Sequence, residues 1–232
     1  MALAAARRLR AGRAAPPALL RCAASTAAGA DANRWALMQM TDASLPTGGF
    51  AHSAGLEAAW QQGRVRDTQQ LLSFVRAAVG QAAHSSVPFV TAAHAAAAAG
   101  LTGEGEAASS ALRAWADVDR RQHALLCGNA TAARASQLQG SALLRVAEPL
   151  LADLGLDDSS SSSMQASRSA VHQLQQALRT PDPSGAIGVV HGHHAPVFGL
   201  VSGVLQMPAD TVVEAFLFTV PGPSPLTPSP IC

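Results

Sequence analysis

The chain has 232 residues, of which 48% are hydrophobic, and its 16 basic and 15 acidic side chains give a formal charge of +1 at pH 7. This length suits one domain with or without tails. Five of the arginines lie within residues 1–30, so the rest of the chain is mildly acidic, with 11 arginines against all 15 acidic residues, which argues against nucleic-acid binding. Every basic residue is arginine, which excludes a lysine nucleophile and the lysine of a nucleotide-binding P-loop. The isolated cysteines (Cys22, Cys127 and Cys232) match neither a disulfide framework nor a zinc spacing.

The composition favours helix over sheet. Alanine supplies much of the hydrophobic content, aromatic residues are only 4% of the chain, and no long stretch alternates with a period of two. The run of alanines over 95–99 is far shorter than the ~20 apolar residues that span a bilayer, so it predicts close helix packing rather than a membrane segment. The sequence therefore predicts an all-α fold, a single globular bundle of roughly eight helices.

The composition also divides the chain. Residues 1–30 contain five arginines and no acidic residue, which is typical of a mitochondrial or chloroplast transit peptide, although a disordered extension would have the same composition. We assign the helical domain to residues 31–218, and within it the Ser-rich segment 155–170 is expected to be a disordered insertion. Residues 219–232 form a Pro-rich tail, and the five prolines between residues 221 and 230 exclude a helix there.

Residues 41–60 contain a specific turn. Pro46 fixes φ and removes a backbone donor, so it ends the helix predicted over 33–40. The glycine pair after it permits positive φ or a close backbone approach, and the phenylalanine that follows is an apolar anchor for the next helix. An ordinary helix–turn–helix corner would also explain this pattern. The turn-forming and polar residues are Asp42, Pro46, Gly48, Gly49, Phe50, His52 and Glu57.

The sequence pattern in the middle of the chain predicts successive amphipathic helices. An aspartate at 67 with a glutamine three residues later is close to a capping box and predicts a helix start there. The charged residues Asp117, Asp119, Arg120 and Arg121 are expected to form a solvated face of one helix. Helices are predicted at about 51–62, 67–83, 88–99, 107–127, 130–152, 169–179, from 194 onwards and from 208 onwards.

The helix over 130–152 carries a second distinctive segment, residues 134–145. Gly140 interrupts a strong helical pattern at a cost of ~1 kcal/mol relative to alanine, so we expect it to permit a close contact. Arg134 and Arg145 are available for bidentate pairing with carboxylates, with Gln139 between them. Exposed arginines on an ordinary helix surface are the alternative interpretation.

A histidine cluster precedes the next predicted helix. His191, His193 and His194 are the only local group that suggests a metal site, because imidazole suits nickel, copper and zinc. No cysteine or carboxylate accompanies them in the sequence, so direct metal binding stays the alternative hypothesis. Pro196 suits the first turn of a helix, and Gly199 with Gly203 makes a small-residue face on which another helix could pack closely.

Three segments in order resemble the UreF family of urease accessory proteins. They are the Asp-Ala-Ser-Leu-Pro-Thr-Gly-Gly-Phe-Ala-His-Ser-Ala-Gly-Leu-Glu-Ala string over 42–58, the Arg-Ala-Ser and Gln-Gly-Ser-Ala-Leu-Leu-Arg helix over 134–145, and the His-x-Pro-Val-x-Gly entry over 194–199. The resemblance covers about 34–218, with gaps at 100–106 and 155–190. It ends after Phe218, where the family continues into further helices, so we expect a C-terminally divergent or truncated member.

The resemblance implies a helical, non-enzymatic protein that forms a homodimer in the cytoplasm. Such proteins bind the scaffold accessory protein UreD (also called UreH), recruit the nickel-carrying GTPase UreG, and so help to deliver nickel to apo-urease. No cofactor of its own is implied, since nickel is handled by the assembled complex. No membrane or nucleic-acid partner is expected. The residues carried over as partner-binding or motif positions are Asp42, Pro46, Gly48, Gly49, Phe50, His52, Glu57, Arg134, Gln139, Gly140, Arg145, His194, Pro196 and Gly199.

Overall fold

The computed structural model describes residues 35–42, 55–100, 105–153, 162–179 and 188–220. These residues form nine helices and no strand, which confirms the all-α fold. Among them, no helix is both long enough and apolar enough to cross a membrane. The helices are α1 (35–41), α2 (Leu56–Gln61), α3 (Thr68–Ser85), α4 (Val87–Gly100), α5 (Glu106–Leu126), α6 (Ala130–Asp153), α7 (Ser162–Arg179), α8 (His194–Val204) and α9 (Ala209–Thr219).

Helix α8 is the centre of the fold. All of its residues from Ala195 to Val204 are buried, and α4, α5, α6 and α9 pack around it. An apolar helix of this kind must be covered on every side, since it has no face suited to water. The indole N–H of Trp115 on α5 donates to the carbonyl of Pro196 at 2.8 Å, which satisfies a buried polar group of α8.

The closest helix contact is between α8 and α4, and small residues make it. A Cβ at Gly199 would collide with the carbonyl oxygen of Val90 and lie 2.9 Å from the Cβ of Ala93. A Cβ at Gly203 would lie 2.6 Å from the carbonyl oxygen of His94 and 2.7 Å from the Cβ of Ala97. The predicted small-residue face of α8 is therefore confirmed, and its partner is the alanine-rich helix α4.

The capping prediction for α3 is confirmed with one change. The carboxylate of Asp67 accepts from the backbone N–H of Gln70 at 2.8 Å. The side chain of Gln70 reaches back to the N–H of Arg66 at 2.8 Å, one residue earlier than in a standard capping box. The first bond satisfies a donor of the first helical turn, and the second fixes the residue that precedes the cap.

One predicted helix limit was wrong. Helix α7 begins at Ser162 rather than at about residue 169, so residues 162–170 are helical although the segment 155–170 was expected to be disordered.

Candidate functional site

Most of the predicted turn over 41–60 lies outside the described residues, including Pro46, Gly48, Gly49, Phe50 and His52. Its two flanking carboxylates are described. Asp42 follows α1, Glu57 lies in the first turn of α2, and both are exposed. The role of this segment therefore remains a prediction from the sequence.

A buried carboxylate organises the segment before α8. Asp119 on α5 has no exposed surface. Its Oδ2 accepts from the backbone N–H groups of His191 at 2.6 Å and Gly192 at 3.1 Å, and its Oδ1 accepts from the N–H of His193 at 2.8 Å. Because a carboxylate is an acceptor with two oxygens, it can satisfy all three successive amides at once. The expectation that Asp119 lies on a solvated face was wrong.

Three imidazoles gather beside this carboxylate. The ring of His123, one turn after Asp119, stacks on the ring of His191 with centroids 3.5 Å apart and planes 4° from parallel. The Nδ1 atom of His123 lies 3.1 Å from Nε2 of the fully buried His193. The imidazole cluster, defined as His123, His191 and His193, thus joins α5 to the segment that precedes α8.

The surroundings of His193 assign its tautomer. Its Nδ1 atom is buried and has no hydrogen-bond partner among the described residues. A buried N–H without an acceptor is rarer in proteins than a buried acceptor without a donor. We therefore place the proton on Nε2, which donates to Nδ1 of His123.

This environment disfavours imidazolium. Burial is the largest cause that lowers the pKa of His193 to about 4, with smaller lowering by His123 and His191, while the charge of Asp119 acts in the opposite direction. Burial, followed by the neighbouring His123, also lowers the pKa of His191. Burial alone lowers the pKa of His194 to about 4. Neutral rings are therefore the stable form of this segment at neutral pH.

The three histidines of the sequence cluster do not converge on one point. The ring of His194 instead packs against Phe198 and Phe216, with centroid distances of 6.1 and 5.5 Å, and its backbone N–H donates to Ser136 on α6. In the part of the chain that the structure describes, no group of three or more His, Cys, Asp or Glu side chains is arranged to hold a metal ion. The arrangement thus gives no support to a metal site formed by His191, His193 and His194.

Gly140 holds α6 against the same segment. A Cβ at this position would collide with the carbonyl oxygen of Gly192 and lie 3.0 Å from the carbonyl carbon of His193. Gly192 itself has a φ of +67°, which favours glycine, and a Cβ there would lie 2.9 Å from the Leu178 side chain on α7. The expected close contact is present, but it is made with the segment before α8 rather than with a helix.

The opposite face of α6 is open. Arg134, Leu138 and Arg145 are exposed, with Leu138 at 58%, and their spacing places them on one side of the helix. Neither arginine has an ion-pair partner among the described side chains. Gln139 is partly buried and so lies away from this stripe.

The sequence did not single out Asp119 and His123 as site residues, although one signal was available. Position 119 is four residues after the buried Trp115 and three before the buried Gln122. Helical spacing therefore places its side chain on the inner face. A carboxylate on a buried face must find donors, and that requirement could have identified it.

Comparisons with known proteins show which family this chain is similar to. A family model described as UreF matches residues 65–220. Urease accessory protein F of Oryza sativa subsp. indica is 33% identical over 184 residues, which cover 79% of this chain and 58% of that protein. The protein of the same name from Arabidopsis thaliana is 32% identical over 185 residues, 80% of this chain and 63% of its own length.

A bacterial relative matches a shorter segment. Urease accessory protein UreF 1 of Brucella melitensis is 46% identical over 61 residues, which cover 26% of this chain and 25% of that protein. No solved structure matches this chain. The chain thus spans less than two thirds of the length of the two plant relatives.

Proposed function

Since the chain belongs to the UreF family of urease accessory proteins, we propose that it acts in nickel-dependent urease maturation by bridging a scaffold accessory protein and the nickel-carrying GTPase. The work is recognition rather than catalysis, so the chain needs no nucleophile–base pair and no cofactor of its own. Nickel is cargo of the assembled complex, whose final acceptor is apo-urease. We propose that the chain acts in the cytoplasm, or in a mitochondrion or chloroplast if residues 1–30 are a transit peptide. We also propose that it forms a homodimer.

The observation that supports a docking role is the exposed stripe of α6, defined as Arg134, Leu138 and Arg145. The two arginines are eleven positions apart on the helix, or about 16.5 Å at a rise of about 1.5 Å per residue. An apolar side chain between two guanidinium groups, neither with an ion pair among the described side chains, matches a partner segment with an apolar anchor flanked by carboxylates. The buried face of the same helix, with Leu143, Leu144 and Ala147, fixes the stripe rigidly on the core.

Charge reversal on this stripe should weaken assembly. We expect the double variant Arg134→Glu with Arg145→Glu to lose at least about ten-fold in affinity for one of the two accessory partners, because each reversal replaces an attraction with a repulsion. The measurement is titration of the full chain with the scaffold protein and with the GTPase, read by size-exclusion chromatography and calorimetry. The matched control is Arg76→Glu with Arg113→Glu, which makes the same change in net charge at exposed arginines of α3 and α5.

Three outcomes separate the parts of this proposal. Loss of binding in the stripe variant but not in the control supports docking through α6. Equal binding by both variants, with normal binding by the natural chain, means that the partner surface lies elsewhere. If the natural, folded chain binds neither accessory protein, the bridging role itself is wrong.

A further inference from the structure

The segment before α8 is attached to α5 by backbone hydrogen bonds and by contacts between histidine rings, and its Val190 packs against the hydrophobic core. Residues 188–193, here called the latch loop, are held by three backbone bonds to the Asp119 carboxylate and by the imidazole cluster. Both attachments come from one short stretch of α5. Gly140 of α6 lies against the backbone of Gly192 and His193, and Leu178 of α7 lies against Gly192, so both make steric contacts with this loop.

We propose that the latch loop is acid-sensitive. In its closed form, with the imidazole cluster neutral, it is bound to Asp119, and it is released from Asp119 when the cluster takes up a proton. This inference stands on the loop's own contacts and does not rest on the proposed function. It deals with a local opening of one loop, while the helices of the core stay packed.

The hydrogen bond within the cluster accounts for the sensitivity. Nδ1 of His123 accepts from Nε2 of His193 across 3.1 Å, so a proton added to that acceptor would place two donors face to face. A proton added instead to Nδ1 of His193 would create a buried cationic donor without an acceptor among the described residues. Either position opposes the closed form.

The stacking within the cluster adds to this effect. His191 lies flat against His123 at a centroid distance of 3.5 Å, so positive charge on both rings is repulsive. The charged and titratable groups that act on the two loop histidines all come from α5 or the loop: Asp119, Arg120, His123, His191 and His193. Asp119 favours the protonated form, but burial acts more strongly in the opposite direction.

The sign and size of the effect follow from linkage. The pKa of His193 is lowered to about 4 in the closed form, against about 6.5 when the ring is in water. The stability of the closed form is therefore complete above pH 6.5 and is lost as the pH falls towards 4. For His193 alone, the open fraction should rise about 20-fold between pH 7 and pH 5.

Amide hydrogen exchange on the full chain tests this directly. The amides of His191, Gly192 and His193 should lose protection by about 20-fold or more from pH 7 to pH 5, after correction for the intrinsic exchange rate. At pH 5 they should exchange at least about ten-fold faster than the amides of Leu200 and Val204 inside α8, since the opening is local. Equal protection in the loop and in α8 would mean that the loop opens only on global unfolding, which would overturn the latch.

Variants and spectroscopy complete the test. His193→Phe keeps a buried ring without a titrating group and should remove most of the pH dependence, whereas His172→Asn, at an exposed site on α7, should leave it unchanged. Imidazole ¹⁵N shifts of the natural chain need no variant, and they should show His193 protonated on Nε2 at pH 7. A His193 that titrates near pH 6.5, or a loop protection that changes less than about three-fold, would overturn the proposal.

Discussion

Replacement of Asp119 by alanine should lower the free energy of unfolding by roughly 3–5 kcal/mol, one of the two largest effects expected in this chain. The substitution leaves the amides of His191, Gly192 and His193 without their acceptor, and two of these three bonds are buried. Each buried donor left without a partner costs about 1–3 kcal/mol. Urea denaturation followed by circular dichroism at pH 7 measures the change.

The matched control for this substitution lies two residues away. Asp117 is on the same helix, with 48% of its side chain exposed and an ion pair to Arg121 at 2.7 Å. Asp117→Ala should cost under about 1 kcal/mol, because exposed ion pairs contribute little. If the two alanine variants were equally stable, the three amide bonds to Asp119 would not hold the latch loop.

The sequence was sufficient for the parts of this fold that depend on local pattern. The Asp67–Gln70 cap, the small residues of α4 and the glycine spacing on α8 all led to correct elements, because each signal lies within one or two turns of the chain. The prediction that Gly140 permits a close contact was also confirmed. Its partner, Gly192, could not be predicted, because helical periodicity does not tell which distant segment will cover a given face.

The candidate site was harder to predict because its contacts are non-local. Asp119 meets amides that are more than seventy residues later in the chain, and His123 meets His193 across a similar separation. A cluster of histidines in sequence is conspicuous, so His191, His193 and His194 were grouped together. In the folded chain His191 and His193 contact His123 on α5, whereas His194 packs on phenylalanines. Neighbouring side chains along this segment point in different directions, so closeness in sequence does not bring the three rings together.

Gly140→Ala should destabilise the chain by roughly 2–3 kcal/mol, although helix propensity alone predicts the opposite sign. In the interior of a helix, alanine is favoured over glycine by about 1 kcal/mol. At position 140 the added methyl group would collide with the carbonyl oxygen of Gly192 and approach the backbone of His193. These are backbone atoms, so relief of the collision requires α6 and the latch loop to move apart, which also strains the bonds to Asp119.

A second glycine separates packing from propensity. Gly80 lies inside α3, and a Cβ there would meet nothing within 4 Å. Gly80→Ala should therefore raise the free energy of unfolding by about 0.5–1 kcal/mol, as expected where only the backbone entropy of the unfolded chain changes. Thermal and urea denaturation of both variants give the comparison. A gain in stability at both positions would mean that α6 does not rest directly on Gly192, whereas opposite signs would show that this contact sets the position of the latch loop against the core.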